Sequence, residues 1–443
     1  MKKVLKYIFL FILFFCSLQF IYFFFWGDEL YNFGFSYAIS RGEVPYRDFN
    51  MIVPPFGALF YTIPFLFGNN ILIFNLFQAL LLCILFYLLY KMMGKNIYAV
   101  LAALFLLFPV PLITVIFPGY NFLLIFLLVL LLYLEKNNSN DILIGIILGL
   151  MVLTKHTVGF LVCLVSFFYL KRNYKKVLKR ILGVLIVGII FIGYLLITNT
   201  WSSFFDMCFL GMFDFTKLNS NISPLNLIIF LIGESIIIYR IYKNKRNIEN
   251  YYLLAFSIIV VPLFDYYHVA LFIFMLLIII IKGMKIRYKE SILLFNSFLF
   301  VLSVSFLFIY REYHFNINFS NFNHFSLLAI NKDSEKVINR INKFIDTNKD
   351  KNIIFLCNEA YLYEIMNDRD ITQYDLLNYG NHGYNGTEKL ILDISKEKNP
   401  LFIINISKYK SKNNWSQLNK EVIKYVLDNY TFERKIGSYV VYS

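Results

Sequence analysis

Charge is scarce in this chain. Asp, Glu, Lys and Arg make up 16% of its 443 residues, well below the roughly 25% of an ordinary soluble protein. Hydrophobic residues reach 59% and mean hydropathy is +0.62, which excludes a soluble globular protein. Cysteine is sparse too: Cys16, Cys83, Cys163, Cys208 and Cys357 stand apart without CxxC spacing. That excludes a disulfide framework or cysteine metal centre and leaves them as small apolar fillers. His314, His324 and His382 lack metal-ligand spacing and read as surface or loop residues. No internal repeat is evident, which counts against a transporter built from repeated halves. No small-residue cleavage pattern ends the first apolar run, so it reads as a retained helix rather than a signal peptide.

The net charge of +14 does not imply a nucleic-acid partner, because of where the cations lie. They gather in short segments between apolar runs, notably Lys171 to Arg180, Arg240 to Arg246 and Lys282 to Lys289. There they orient helices and meet anionic lipid heads. Aromatics reach 19%, with 50 Phe and 33 Tyr, many Tyr lying near the ends of apolar runs, where amphipathic rings favour the interface.

The run from Val4 to Trp26 is about 23 residues, enough to cross a hydrocarbon core of roughly 30 Å as a helix. Lys2, Lys3 and Lys6 precede it and set the N-terminus in the cytoplasm. Asp28 and Glu29 then emerge outside, at the head of a loop (27–69) that carries Arg41, Arg47 and Asp48. Two later runs, Asp141 to Leu170 and Tyr251 to Ile281, are too long for one crossing. They hold ionisable residues at mid-length, Lys155 and His156 in one, Asp265 and His268 in the other. Burying such charges at the bilayer centre costs about 2.5–3.5 kcal/mol each. Folding each run into two short helices brings their apices to the outer face.

This parity predicts a polytopic α-helical membrane protein with about eleven transmembrane helices. The expected spans are 4–26, 70–93, 97–116, 119–134, 141–154, 157–170, 178–199, 224–242, 250–264, 267–281 and 290–310. Residues 1–310 would form the membrane domain. Residues 311–443, richer in Asn, Lys, Asp and Glu, would form an extracytoplasmic α/β domain. Within it, Asn352 to Cys357, Leu401 to Ile406 and Tyr439 to Tyr442 read as strands, and Ser334 to Asp346 and Ser416 to Asp428 as helices. The glycines of Asn378 to Gly386, NYGNHGYNG, mark its most loop-like stretch.

The stretch WGDELYNFGFSYAISRGEVPYRDFNMIVPPFGALFYTIPF, residues 26–65, resembles the first outer loop of GT-C superfamily glycosyltransferases. That group includes protein O-mannosyltransferases and lipid A aminoarabinose transferases. Its mark is an acidic residue, often paired, just after the first transmembrane helix, and here it falls on Asp28-Glu29. LTKHTVGF at 153–160, DYYH at 265–268 and YDLLNYGNHGYNG in the tail extend the likeness over most of the chain. One departure is clear: some members carry Lys-Pro-Pro in this loop as a donor-phosphate contact, where this chain has Val53-Pro54-Pro55.

The resemblance implies a hexosyl- or pentosyltransferase that moves a sugar from a polyprenyl-phosphate carrier to an envelope glycan, lipid or protein. Asp28 is then the base or acceptor-orienting carboxylate, with Glu29 beside it as support, cation ligand or solvent-facing residue. Arg47, Lys155 and Arg41 are candidates for the donor phosphate, since guanidinium forks match phosphate oxygens. Asp48, His156, Asp265 and His268 are candidate acceptor or supporting residues. Each has a structural counterpart: Asp28 could simply end the first helix, Asp48 could be a turn residue, an interfacial Arg could meet lipid, and a His at a helix end is usually an interfacial polar group. No motif specifies a metal or other cofactor, although a divalent cation fits the carboxylates. Two rivals remain, a transporter or flippase of lipid-linked saccharide and a non-catalytic envelope assembly protein.

Overall fold

Inside a bilayer, backbone amides can be satisfied only within the segment itself, so long runs of Leu, Ile and Phe must fold as helices. In the computed structural model they do. Residues 2–21, 28–94, 118–219, 223–261, 263–283, 317–410 and 419–443 are described. Among them Ile71–Met92, Tyr174–Ile197, Pro224–Lys243 and Tyr266–Gly283 are helices long and apolar enough to cross a membrane. The expected spans 97–116 and 290–310, together with Pro262 and His314, lie outside the described residues. The chain divides into two compact units.

The first unit comprises Met1–Leu18, Asn75–Tyr194 and Asn221–His314. Both long runs break as expected. Lys155 adopts an extended conformation (φ −150°, ψ 98°) between helices Asp141–Thr154 and His156–Tyr169. Helix Ile248–Phe256 passes through a 3₁₀ turn, Ser257–Val260, and the next helix starts at Tyr266. Asn140 caps the Asp141 helix by accepting from the Ile142 amide at 2.9 Å. Gly145 and Gly149 form a small-xxx-small pair on that helix. A Cβ on Gly145 would fall 2.1 Å from the Arg180 carbonyl oxygen, and one on Gly183 would fall 2.3 Å from that of Ile142. Only glycine permits so close an approach to the Tyr174–Ile197 helix.

Arg180 corrects one expectation. It does not meet lipid heads but is almost fully buried. Its guanidinium makes paired bonds to Glu135 at 2.6 and 2.9 Å, and its Nε bonds to Asp141 at 2.9 Å. It also donates to the Ser166 hydroxyl at 2.7 Å and to Tyr252 at 3.3 Å. The fork thereby ties together five helices whose apolar faces alone would leave their relative rotation poorly specified.

The second unit comprises Gln19–Phe74, Leu195–Ser220 and Phe315–Ser443. Strands β1 (Ile317–Phe322) and β2 (Phe325–Asn331) form an antiparallel hairpin. Helix Lys332–Asp346 follows, capped by the Asn331 side chain. Strands β3 (Asn352–Leu356), β4 (Pro400–Asn405), β5 (Phe432–Ile436) and β6 (Tyr439–Tyr442) form a mixed sheet ordered β3-β4-β6-β5. The β3/β4 pair is parallel and registers Ile354 with Phe402, while antiparallel β4/β6 registers Ile404 with Val440. These side chains, with Leu390, Ile394, Val422 and Val426, make its core.

The residues after the first helix belong to this unit. Helix Asp28–Ser40 lies against helix Ala360–Met366, and a Cβ at Gly34 would fall 2.0 Å from the Tyr361 ring. Tyr31 and Phe35 flank that ring with centroids at 5.2 and 5.7 Å, and Phe33 meets Phe65, Phe74 and Phe325. Tyr31, Tyr37, Tyr46, Tyr61, Tyr361 and Tyr363 are all buried in this unit. A good part of the aromatic excess therefore builds a core rather than an interfacial belt. The glycine-rich loop also has a packing reason. Gly383 (φ +77°) admits the Asp206 carboxylate, which would lie 2.2 Å from a Cβ there, and Gly380 (φ +84°) admits Phe215. Asp206 accepts from the Tyr384 amide at 3.1 Å and Asp214 from the Asn385 amide at 2.8 Å.

Candidate active site

In the second unit, Asp28 and Glu29 are the first two residues of helix Asp28–Ser40; their side chains lie outside the described residues. The first turn of a helix offers unpaired amides and favours negative charge, so the acidic pair suits that position whatever else it does. Gly42 (φ +95°) turns the chain after the helix, and the GEVPYRDF segment folds back on itself. There Arg47 clasps Asp48 through Nε and Nη2, both at 2.8 Å, and Asp48 also accepts from the Val44 amide at 2.7 Å. The Arg47 bonds hold the Asp48 carboxyl below the usual range, against the opposing effect of its partial burial. Arg41 reaches Asp370 at 2.9 Å and the Tyr37 hydroxyl at 3.3 Å.

Glu43 was not among the residues expected from sequence. Both its carboxyl oxygens are buried, with the backbone of Ile371 as the hydrogen-bonding group beside them. Burial first, and then the nearby charges of Asp370 and Asp48, push its pKa up to about 7, with Arg41 opposing. A carboxyl balanced there exchanges a proton readily at neutral pH. Its only sequence signal is an acidic residue between the turn formers Gly42 and Pro45. Further along, Asn50 donates to the Gln373 carbonyl at 3.1 Å and contacts His382 Nδ1 at 2.9 Å. His382, expected as a surface or loop residue, lies in the glycine-rich loop but is buried, and burial lowers its pKa to about 4. His324 contacts the Asp368 carboxylate at 2.7 Å.

In the first unit the two helix breaks come together. Lys155 Nζ donates to Asn121 Oδ1 at 3.5 Å and sits 5.6 Å from the Tyr120 ring centre. Asn121 in turn donates to the Tyr267 hydroxyl at 3.3 Å. Asp265 accepts from the His268 amide at 2.8 Å, capping helix Tyr266–Gly283, and its two oxygens lie 2.9 and 3.0 Å from His268 Nδ1. Lys155 and Asp265 attract each other through this cluster. His156 opens its helix beside Lys155. Asn121 is the link that sequence reasoning missed, a polar residue in the first turn of an apolar helix. Among the described residues no group of three His, Cys, Asp or Glu side chains has metal-ligand geometry.

The profile of glycosyltransferase family 87 matches residues 52–309, more than half of the chain. The chain belongs to glycosyltransferase family 87. The fold is similar to crystal structures of ArnT from Cupriavidus metallidurans. Against the apo state the TM-score is 0.61 at 11% identity, covering 99% of this chain and 98% of that one. Against ArnT bound to undecaprenyl phosphate the TM-score is 0.60 at 9% identity, covering 100% and 98%. At such identities the likeness is one of fold. No curated protein matches the chain by sequence. This family 87 member is thus a glycosyltransferase with helices long and apolar enough to cross a membrane and a fold similar to that of ArnT. Residues 28–50 precede the matched segment, so the roles of Asp28, Glu29, Arg41, Glu43, Arg47 and Asp48 rest on position and chemistry.

Proposed function

We propose that this protein transfers a sugar from a polyprenyl-phosphate carrier to a cell-envelope acceptor on the extracytoplasmic face of the membrane. The observation that carries the reading is similarity along nearly the whole chain, in a family 87 glycosyltransferase, to a fold that has been crystallised with undecaprenyl phosphate. Asp28 takes the proton of the acceptor hydroxyl as its oxygen bonds to the anomeric carbon. The anomeric carbon–oxygen bond to phosphate breaks, and polyprenyl phosphate leaves with the bonding electron pair. The candidate cations for that phosphate are Arg47 and Arg41 in the second unit and Lys155 in the first. Glu29, Asp48, His156, Asp265 and His268 orient the acceptor and these cations. The N-terminus is cytoplasmic, residues 1–310 carry about eleven crossings, and residues 311–443 form an extracytoplasmic domain that selects the acceptor.

The test compares envelope glycans and lipid-linked sugars by mass spectrometry in a deletion strain and in the same strain carrying wild type or Asp28→Asn. A glycan lost on deletion, restored by wild type and not by well-expressed Asp28→Asn, supports transfer and names the sugar. Restoration by Asp28→Asn removes that carboxylate from the chemistry and favours a flippase or an assembly protein.

A further inference from the structure

A groove of about 430 Å³ lies in the second unit, lined by Trp201, Ser202, Phe205, Asp206, Leu210 and Lys389. Its volume falls in the range of about 300–1,000 Å³ typical of small-ligand sites. Trp201 and Phe205 sit one helical turn apart and so share a face, with 50% and 48% of their surfaces exposed. They line the groove with two exposed aromatic rings. Beside it stand the Ser202 hydroxyl and an ion pair, Lys389 Nζ to Asp206 Oδ2 at 3.0 Å.

The polar side of the groove is held rigidly. Asp206 opens a π-helical turn, Asp206–Leu210, a distortion that recurs at functional sites. Its other oxygen is fixed by the Tyr384 amide at 3.1 Å, a contact that only Gly383 allows. The carboxylate and ammonium are thus placed before any ligand arrives.

A pyranose has the matching chemistry. Its C–H face packs on an aromatic ring, while its rim of hydroxyls needs both acceptors and donors, here Asp206, Ser202 and Lys389. The paired Asp206 carboxylate and Lys389 ammonium offer neighbouring hydroxyls an acceptor and a donor at once. We propose that this groove binds a sugar ring of the acceptor glycan. Naming the occupant as acceptor rests on the transfer reading above; the saccharide chemistry of the groove does not.

The test uses full-length protein in nanodiscs and, as probe, the saccharides released from the envelope of the deletion strain. Wild type is expected to retain a glycan, Trp201→Ala and Lys389→Met to bind it at least about tenfold more weakly, and Trp201→Phe, which keeps a ring, to restore most of the binding. In transfer assays Trp201→Ala should raise the acceptor KM by a similar factor and leave the donor KM near wild type. Equal binding by wild type and Trp201→Ala, or no glycan retained by wild type, overturns the assignment. So does a Trp201→Ala defect confined to association with phosphatidylglycerol vesicles, which would make Trp201 a membrane anchor. Failure of the transfer reading looks different: wild type then moves no sugar from a polyprenyl-phosphate donor while the glycan still binds through Trp201.

Discussion

Asn50 donates its side-chain amide to His382 Nδ1 at 2.9 Å, so the ring is neutral and its proton lies on Nε2, which is buried without a partner. The two residues stand 332 positions apart in sequence, and their contact joins the loop after the first helix to the glycine-rich loop of the tail. Burial lowers the His382 pKa from 6.5 to about 4. An unfolded chain takes up this proton near 6.5, whereas the folded one resists it until about 4. The stability from His382 is therefore full above pH 6.5 and is lost as pH falls through 4. His382→Phe should flatten the fall in melting temperature across that window. At pH 7.5 it should also cost about 1–3 kcal/mol, because the Asn50 amide loses its acceptor. Thermal unfolding in detergent between pH 4 and 8 measures both.

Glu43 runs the other way. Its pKa rises from 4.5 to about 7 on folding, chiefly through burial, so its contribution is full below pH 4.5 and is lost as pH rises through 7. Glu43→Gln stays neutral throughout. The melting temperature of the variant relative to wild type should rise between pH 5 and pH 8, by a few degrees, roughly 2–4 °C. A difference that does not change with pH would mean that Glu43 is ionised in the folded protein across this range.

Arg180 gives a prediction about stability alone. It is the shared partner of Glu135 and Asp141. Arg180→Met fills much of the same space but leaves two mostly buried carboxylates facing each other without a cation. Breaking a buried ionic cluster from one side costs about 3–5 kcal/mol. The variant should melt well below wild type and accumulate poorly, while a triple variant that also carries Glu135→Gln and Asp141→Asn should recover part of the loss. No recovery would show that packing of the guanidinium stem, rather than charge, sets the cost.

The parts legible in the sequence were those with a local physical signature. Lys155 and Asp265 interrupt apolar runs too long for one crossing, and the helices break there. The continuous apolar runs of β3 and β4 read as buried strands and are. Strand β5, FERKI, is mostly exposed and leaves no alternation to read. Arg180, Glu43 and His382 were misread or missed for one shared reason. What decides a polar residue's state is the partner or the burial it meets through the fold. Asp141 lies 39 positions from Arg180, and Asp370 lies over three hundred from Glu43. The joining of residues 28–74 to the tail rests on contacts such as Gly34 with Tyr361, which no local period encodes.

Gly383 tests whether the π-helical turn and the tail loop hold each other in place. Its φ of +77° costs a residue with a Cβ about 1–2 kcal/mol. In Gly383→Ala the new methyl would also fall 2.2 Å from Asp206 Oδ2, so the carboxylate must move off the Tyr384 amide and away from Lys389. A lost charge-assisted hydrogen bond adds about 1.5–3 kcal/mol. The variant should be destabilised by more than backbone strain alone, and its 378–386 loop should be cut faster by protease. Asp206→Asn separates the two contributions: it keeps the glycine and an oxygen for Tyr384 but forfeits the ion pair with Lys389. If Gly383→Ala costs no more than strain, Asp206 has found another position. The amide of Tyr384 would then exchange with solvent deuterium as slowly as in wild type; if the loss is larger, exchange at Tyr384 should approach that in Asp206→Ala.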